Sequence, residues 1–415
     1  MVIKKIDILK WYIILYPVCD MLYTVTENME ISSALNISQI IRGLGLLFLL
    51  TYLNWSAKMV LKIGGIFAWM CISLAIYHFS GLSLSLFSDF SLWLKMFTAI
   101  VTYYVFKQNF ENGTFDYEKI MTWFVYSSYI AISSILLSYV GLGNSSYGSE
   151  RIGVKGMFTI QSTITGYLLL LFPFIYKSQR KLLSVPVLLS VVALMSIGSK
   201  TGVFGTIICY SIFIIYELFN EGRRRVKKST MLSVSLVMLG ILTIGVYYMK
   251  KYIVYLLGLY QTKDYFYSLD SFLLSNRNRY IQLVQIYIDS FLSEKQKIMG
   301  KIFGYGNSGV RKMMSYMHPE LNAIERDFHG LYYCFGIVVL VVISIIIWQC
   351  WMNILKECRK YKFRNDICFF SLLSVSLGIV YGWLGGHIIY EAMNLFPFWV
   401  ICAFCKSKKI QGENI

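Results

Sequence analysis

Charged residues are scarce in this sequence. Only 15% of its 415 residues are Asp, Glu, Lys or Arg, whereas 57% are hydrophobic and the mean hydropathy is +0.58. A soluble globular domain carries about 25% charged residues. Apolar runs recur along the whole chain, and runs of about 17 residues or more can cross a hydrocarbon core of roughly 30 Å as helices. The composition excludes an ordinary soluble domain and predicts an all-α polytopic membrane protein, because lipid offers an open backbone no hydrogen-bonding partners.

A small-residue cleavage site is also missing after Lys4, Lys5 and Lys10, so we expect no cleaved signal peptide. The apolar pattern predicts about twelve transmembrane helices, at 9–25, 38–54, 63–80, 90–106, 120–141, 158–176, 182–197, 201–219, 230–249, 331–354, 367–385 and 388–405. The predicted organisation is three regions: helices 1–9 with an outer basic loop at 142–157 (1–249), one large extracytoplasmic loop subdomain (250–330), and helices 10–12 with a cytoplasmic tail (331–415).

Basic residues are absent from the predicted outer loops 26–37 and 81–89. If the N-terminus is cytoplasmic, 23 of the 39 Lys and Arg residues fall in inner segments. This distribution follows the positive-inside rule and predicts that both termini are cytoplasmic. The net charge of +17 then mostly reflects topology. We expect no nucleic-acid partner, because the basic clusters are short loops between helices.

Several chemical motifs are missing. None of the nine cysteines lies in 250–330, so no disulfide framework is expected; Cys402 and Cys405 have metal-like spacing but no second ligand pair. Lys200, in the stretch GSKTG, lacks the spacing of a phosphate-binding loop. No carboxylate cluster is typical of a magnesium site. We therefore expect no metal and no cofactor.

Two predicted outer segments break the charge pattern. The loop 142–157 contains Arg151 and Lys155, and the segment 250–330 contains eleven basic and seven acidic residues. A loop as long as 250–330 is usually functional.

Within the long loop, two local patterns predict structure. Apolar residues at helical spacing (Ile281, Val284, Ile288, Leu292) predict an amphipathic helix over 277–292. The stretch FGYGNSG at 303–309 predicts a glycine turn.

Arg42 and Lys95 lie inside predicted spans 2 and 4, and Lys200 lies between two apolar runs. Arg42 and Lys95 are costly inside a membrane, at about 2.5–3.5 kcal/mol each. We expect ion pairs with the nearby Asp20 and Asp89, and contact with an anionic ligand is the alternative. The alternative to a functional role for Lys200 is a snorkelling lysine in a helical hairpin.

The remaining outer charges suggest a chemistry. An excess of fixed cations suits an anionic group presented from the membrane, such as a lipid pyrophosphate, because the arginine fork binds two oxygens at once. A carboxylate beside it could take the proton of an attacking sugar hydroxyl. The candidate cations are Arg151, Lys155, Lys200, Arg277, Arg279 and Arg311, and the candidate titratable groups are Glu325, Asp327 and His329. The alternative for Glu325 and Asp327 is that they cap a helix N-terminus.

Four short stretches, in this order, support a resemblance to a known family. ERIGVKGMFTIQSTITGYLLL looks like that family's Arg…Gly-x-Phe stretch entering a span, and GSKTG looks like its Ser-Arg-[Thr/Ser]-Gly hairpin with Lys200 where arginine is usual. SNRNRYIQLVQIYIDSF followed by FGYGNSG looks like its arginine-containing amphipathic segment and Gly-x-Gly turn. IERDFHGLYYCFG looks like its acid-or-histidine, x, Asp-Phe segment. The sequence resembles the O-antigen polymerase and O-antigen ligase family of membrane glycosyltransferases, which includes Wzy-type polysaccharide polymerases.

The resemblance implies transfer of a glycan from an undecaprenyl-pyrophosphate carrier to a sugar hydroxyl, without a metal and with inversion. It implies that Arg151 and Arg279 (or Arg277) bind the pyrophosphate and that Lys200 supports them. Where the ligases place a histidine this chain has Glu325, which favours a polymerase. Glu325 is our first candidate for the base, Asp327 the second and His329 the third.

The predicted reaction joins lipid-linked oligosaccharide repeat units on the outer face of the bacterial cytoplasmic membrane, building a capsule, O-antigen or similar polysaccharide. The lipid-linked oligosaccharide would be both donor and acceptor, and a flippase and a chain-length regulator are the partners that the resemblance implies. One alternative is a ligase that moves finished glycan to a terminal acceptor. Another is a flippase or transporter for the same lipid, which twelve helices would suit, but the charges gather in an outer loop and no internal repeat is visible.

Overall fold

The computed structural model describes residues 4–28, 37–147, 152–220, 240, 277–317, 324–363 and 365–404. The ninth predicted span, 230–249, lies outside these residues apart from its residue 240. Arg151 and the first part of the predicted large loop also lie outside them.

Helices make up most of the described chain. The first nine are α1 (Lys5–Ile14), α2 (Tyr16–Asn28), α3 (Ile37–Leu50), α4 (Ala57–Phe79), α5 (Leu86–Glu111), α6 (Tyr117–Leu137), α7 (Gln161–Gln179), α8 (Val185–Ser196) and α9 (Lys200–Asn220). The others are α10 (Arg277–Phe291), α11 (Glu294–Phe303), α12 (Gly306–Met317), α13 (Asp327–Gly330), α14 (Gly336–Lys360), α15 (Asp366–Leu384) and α16 (Ala392–Cys402). A π-helical turn, Leu331–Phe335, joins α13 to α14.

Several of these helices suit a membrane. By length and composition five helical stretches can cross one: Ala57–Phe79, Tyr117–Val140, Lys200–Glu217, Asp327–Lys360 and Asp366–Leu384. The pair α1 and α2 qualifies together but is bent by 51°, and α3, α8 and α16 contain shorter apolar helices. The chain is a multi-pass helical membrane protein. Each predicted span except 230–249 overlaps a described helix, and the count of twelve stays a prediction.

α7 packs against helices on several sides. All of its residues from Thr163 to Tyr176 are buried, and it packs against α6, α8, α9, α15 and α16. At its start the Asn394 side chain donates from Nδ2 to the carbonyl of Thr163 over 3.0 Å. The same Nδ2 donates to the carbonyl of His387 over 2.5 Å, and so ties the segment between α15 and α16, which contributes to the candidate site, to the start of α7.

The predicted amphipathic helix is present as α10. Its residues Val284 and Ile288 are buried, as the apolar spacing requires. α11 begins at a capping box, in which Ser293 and Gln296 each bond the other's backbone N–H through their side chains.

The predicted glycine turn is shorter than 303–309, because α12 already begins at Gly306. Gly304 has φ +91°, and a Cβ there would overlap the carbonyl of Cys334. The hydroxyl oxygen of Tyr77, near the end of α4, lies 2.7 Å from the Phe303 carbonyl and 2.9 Å from that of Cys334. The helices α10–α12 are thereby tied to the end of α4 and to the π-helical turn before α14.

A small β-hairpin departs from the all-α prediction. Strand β1 (Asn144–Tyr147) pairs antiparallel with β2 (Ile152–Gly156) inside the basic loop 142–157. Gly153 has φ +77°, and a Cβ there would overlap the carbonyl of Ile197. The hairpin therefore packs against the turn that precedes Lys200.

Candidate functional site

Glu325 and Arg277 form an ion pair across 48 residues of sequence. Arg277 is the first residue of α10 and donates from Nε to Oε2 of Glu325 over 2.6 Å. The arginine side chain is 16% exposed and that of Glu325 is 41% exposed. The carboxylate is thus held in place beside a mostly covered cation, yet it remains accessible from solvent.

Arg326 is buried and braces this segment. Its Nε donates to the carbonyl of Trp383 over 3.0 Å, its Nη1 donates to Oδ1 of Asn278 over 2.7 Å, and its guanidinium lies 5.3 Å from the centre of the Trp383 ring. Burial, and then the charge of Arg277, lower the pKa of Arg326. The sequence pattern does not single out Arg326 as a site residue, because its partners come from α10 and α15.

Asp327 is buried as an acceptor for backbone groups. Its carboxylate accepts hydrogen bonds from the N–H of His387 (2.7 Å), Ile388 (2.8 Å) and Ile389 (3.0 Å). These three donors follow Gly386, which has φ +72°. A Cβ at Gly386 would overlap the carbonyl oxygen of Glu325. Glycine therefore allows the segment 386–389 to pack directly on the Glu325 backbone.

Two histidines lie on the segments described above, one beside Asp327 and one among the donors to its carboxylate. His329 is partly buried, packs edge-on against Trp383 with ring centres 6.2 Å apart, and has an Nδ1 that bonds to no group in the described part of the chain. His387 Nδ1 lies 4.0 Å from Oε2 of Glu391. Burial lowers the pKa of His387, but the negative charges of Glu391, Glu325 and Asp327 outweigh it, so that the pKa lies above its ordinary value.

The structure places Lys200, one of the predicted phosphate ligands, within electrostatic range of another, Arg277. Lys200 begins α9, is partly buried and lies within electrostatic range of Arg277. Arg279 follows Arg277 by two residues in α10, but its side chain is outside the described atoms. Lys155 donates to the carbonyl of Thr159 over 2.6 Å, and Arg311 is exposed on α12. The described cluster is therefore Arg277, Lys200 and Glu325.

One of the two ion pairs predicted within the spans is confirmed, and the other is wrong. Arg42 pairs with Asp20, as expected. The predicted pairing of Lys95 with Asp89 is wrong, because Asp89 accepts from the backbone and side chain of Ser308 at 2.8 and 2.9 Å. Lys95 instead lies 3.3 Å from Glu391. The sequence does not show these partners, because Ser308 lies more than 200 residues from Asp89 and Glu391 lies more than 200 residues from Lys95.

The helix-capping alternative holds in part for Asp327, which lies where an acid is favoured at a helix start, whereas Glu325 lies before the helix. Asp327 lies in the first turn of α13, and the N-cap residue, Arg326, makes no side-chain cap. The two carboxylates bind Arg277 and the 387–389 backbone instead. Among the residues described, no group of three or more His, Cys, Asp or Glu side chains has the geometry to hold a metal ion.

Comparison with known proteins identifies the family. A family model described as "O-antigen ligase like membrane protein" matches residues 4–256, which is more than half of the chain. The chain belongs to this family. No curated protein matches it. O-antigen ligase-like proteins are membrane glycosyltransferase-type enzymes of surface polysaccharide assembly, so a role in that process follows for this chain. The matched residues include Lys200 and end before Arg277 and Glu325.

Proposed function

We propose that this O-antigen ligase-like protein is a polysaccharide polymerase. It joins undecaprenyl-pyrophosphate-linked repeat units on the outer face of the cytoplasmic membrane. The observation that supports this best is the Arg277–Glu325 pair, 2.6 Å long, with Lys200 in electrostatic range of the same arginine. The proposed base is thus paired with one cation, and a second cation lies within electrostatic range of that arginine.

In the proposed reaction an acceptor sugar hydroxyl attacks the anomeric carbon of the donor. Its oxygen forms the new glycosidic bond, and the bond from that carbon to the pyrophosphate breaks with its electron pair going to the leaving oxygen. The hydroxyl proton passes to the Glu325 carboxylate. Attack from the face opposite the leaving group inverts the anomeric configuration.

The cations have the complementary role. Arg277 and Lys200, with Arg279 and Arg151 as further candidates, would stabilise the charge on the departing pyrophosphate, so that the proposed chemistry needs no metal. Arg277 also restrains Glu325 in the described structure. A bound pyrophosphate would compete for the guanidinium, since phosphate accepts the same paired N–H groups, and the carboxylate would then be free to act as a base.

Glu325 is favoured over the other two candidate bases by its surroundings. Asp327 already accepts three backbone hydrogen bonds. His329 packs on Trp383 and has the Arg326 charge nearby. The Glu325 side chain is 41% exposed, whereas Asp327 is buried and His329 is partly buried.

The ligase alternative differs in its acceptor, and the acid at position 325 favours the polymerase over it. The transporter alternative places substrate cations inside the membrane, whereas Arg277 begins α10 and Glu325 lies just before α13, both within the predicted outer loop. The length and leaflet of the lipid-linked glycan separate all three functions.

The test measures glycan length on the lipid carrier with external labelling to report the leaflet. We expect cells with Glu325→Gln protein to accumulate single repeat units on the outer leaflet, because the neutral amide cannot accept the proton. Glu294→Gln is the matched control, since Glu294 also lies in the loop and pairs with Lys297 at 2.8 Å. Full-length polymer from Glu325→Gln would refute the role of Glu325 as the base. Single units on the inner leaflet would indicate a flippase, and long chains that stay on the carrier would indicate a ligase.

A further inference from the structure

A second polar site is lined in part by Glu391, at the end of the segment 386–391. A cavity of about 210 Å³ opens between α2, α3, α5 and the starts of α7 and α16. Its lining includes Asp20, Ser38, Arg42, Lys95, Thr163 and Glu391. At roughly 30 Å³ per water it has room for about seven waters, which is comparable to one monosaccharide ring.

Three residues that line this cavity carry hydrogen-bonding groups with no partner in the described part of the chain. Ser38 is 2% exposed and Thr163 is 6% exposed, and within the described chain neither hydroxyl has a partner. The same holds for Nε of Arg42, whose Nη2 is bound to Asp20. Buried polar groups are almost always satisfied. Three unsatisfied donors around one cavity therefore point to a ligand that accepts hydrogen bonds.

The charges of the cavity decide which ligand fits. Arg42 pairs with Asp20 and Lys95 pairs with Glu391, so that both signs are present and the cations are already balanced. A phosphate only accepts hydrogen bonds, and it would meet two carboxylates here. A sugar hydroxyl donates and accepts at once, which matches carboxylates, cations and hydroxyls arranged together.

We propose that this cavity binds one sugar ring of a lipid-linked glycan. Sugar binding follows from the cavity alone, whereas the role of that glycan as acceptor rests on the proposed function. The segment 386–391 joins the two sites, because Glu391 lines the cavity and the N–H groups of 387–389 hold Asp327 beside Glu325. On the proposed function, the ring held here belongs to the acceptor chain.

The experiment uses the full chain in nanodiscs and a panel of methyl glycosides: hexoses, 6-deoxyhexoses, N-acetylhexosamines and hexuronic acids. Saturation-transfer NMR measures binding to the unaltered protein and to the double variant Ser38→Ala/Thr163→Val. Because these hydroxyls bond to nothing in the described fold, we expect an unchanged melting temperature and about tenfold weaker binding of at least one glycoside. Thr102→Val/Ser184→Ala is the matched control, since these hydroxyls are also unsatisfied but do not line the cavity.

The outcomes separate the possibilities. Equal glycoside binding by the double variant and its control, or no binding of any glycoside, would overturn the proposal. Weakened binding of inorganic pyrophosphate or undecaprenyl phosphate, with glycoside binding unchanged, would make the cavity a phosphate site and also overturn it. Glu325→Gln should bind glycosides normally. The glycoside result therefore stands even if Glu325 is not the base.

Discussion

Glu325 and Asp327 are two residues apart, and the fold gives them different tasks. Glu325 faces one cation that a ligand could displace, whereas Asp327 is enclosed by three backbone donors. A carboxylate surrounded in this way fixes the conformation of the 387–389 backbone. We infer that Asp327 positions the site and that Glu325 acts in it.

Asp327→Ala tests the positioning role. It leaves three backbone N–H groups without their acceptor, and each buried unsatisfied group costs about 1–3 kcal/mol. We expect the free energy of unfolding in detergent to fall by about 3 kcal/mol or more, with a lower melting temperature. Glu325→Ala should change it by about 1 kcal/mol or less, because its ion pair is partly exposed. Similar losses for both variants would contradict the assignment.

The sequence nominates these residues, and their ranking there rests on the family resemblance and not on their surroundings. Arg277 lies 48 residues before Glu325, and the donors to Asp327 begin 60 residues after it. Residue type and spacing locate an acid-rich segment before an apolar helix, but the partners that set its chemistry come from distant elements. The same limit explains the mistaken pairing of Lys95, whose partner Glu391 is 296 residues away.

Among the elements, the segment between α15 and α16 depends on backbone conformation. Gly386 and His387 both have left-handed φ, at +72° and +69°, and they turn the backbone toward Asp327. A side chain at 386 would be strained and would overlap the Glu325 carbonyl.

Gly386→Ala should therefore displace Glu325 and shorten the glycan chains, although no charged group is changed. Gly64→Ala is the control: Gly64 lies within α4 and a Cβ added there would have no atom within 4 Å, so polymer length should be unchanged. Glycan length in cells, normalised to the amount of membrane-inserted protein, is the measurement. Normal chains from Gly386→Ala would show that the close packing on Glu325 is dispensable.

The helices can be predicted from the sequence pattern, whereas the β1–β2 hairpin cannot. The apolar period of 277–292 depends only on neighbours in the same helix, so α10 follows from sequence. Strands β1 and β2 are only four and five residues long and alternate weakly, so their pairing leaves little trace in the residue pattern. Their position beside the turn before Lys200 depends on packing against Ile197.

At the scale of the whole molecule, the ends of α14 carry different kinds of residues. At its start lie Glu325, Asp327 and the helices α10–α12, and at its end lie Arg359 and Lys360. With 25 residues, α14 is about 38 Å long, which exceeds a hydrocarbon core of roughly 30 Å. If α14 crosses the membrane, these two groups lie on opposite sides, and the basic end is cytoplasmic by the positive-inside rule.

Single cysteines at Lys295 and Lys360 test this orientation, since both side chains are exposed. We expect a membrane-impermeant maleimide to label Lys295→Cys in intact cells and Lys360→Cys only after permeabilisation. The unsubstituted chain, with its nine native cysteines, gives the background. Labelling of Lys360→Cys from outside would invert the topology and place Glu325 and Arg277 in the cytoplasm. The proposed base would then lie on the wrong side of the membrane for an outer-leaflet donor, and polymerisation there could not proceed through this site.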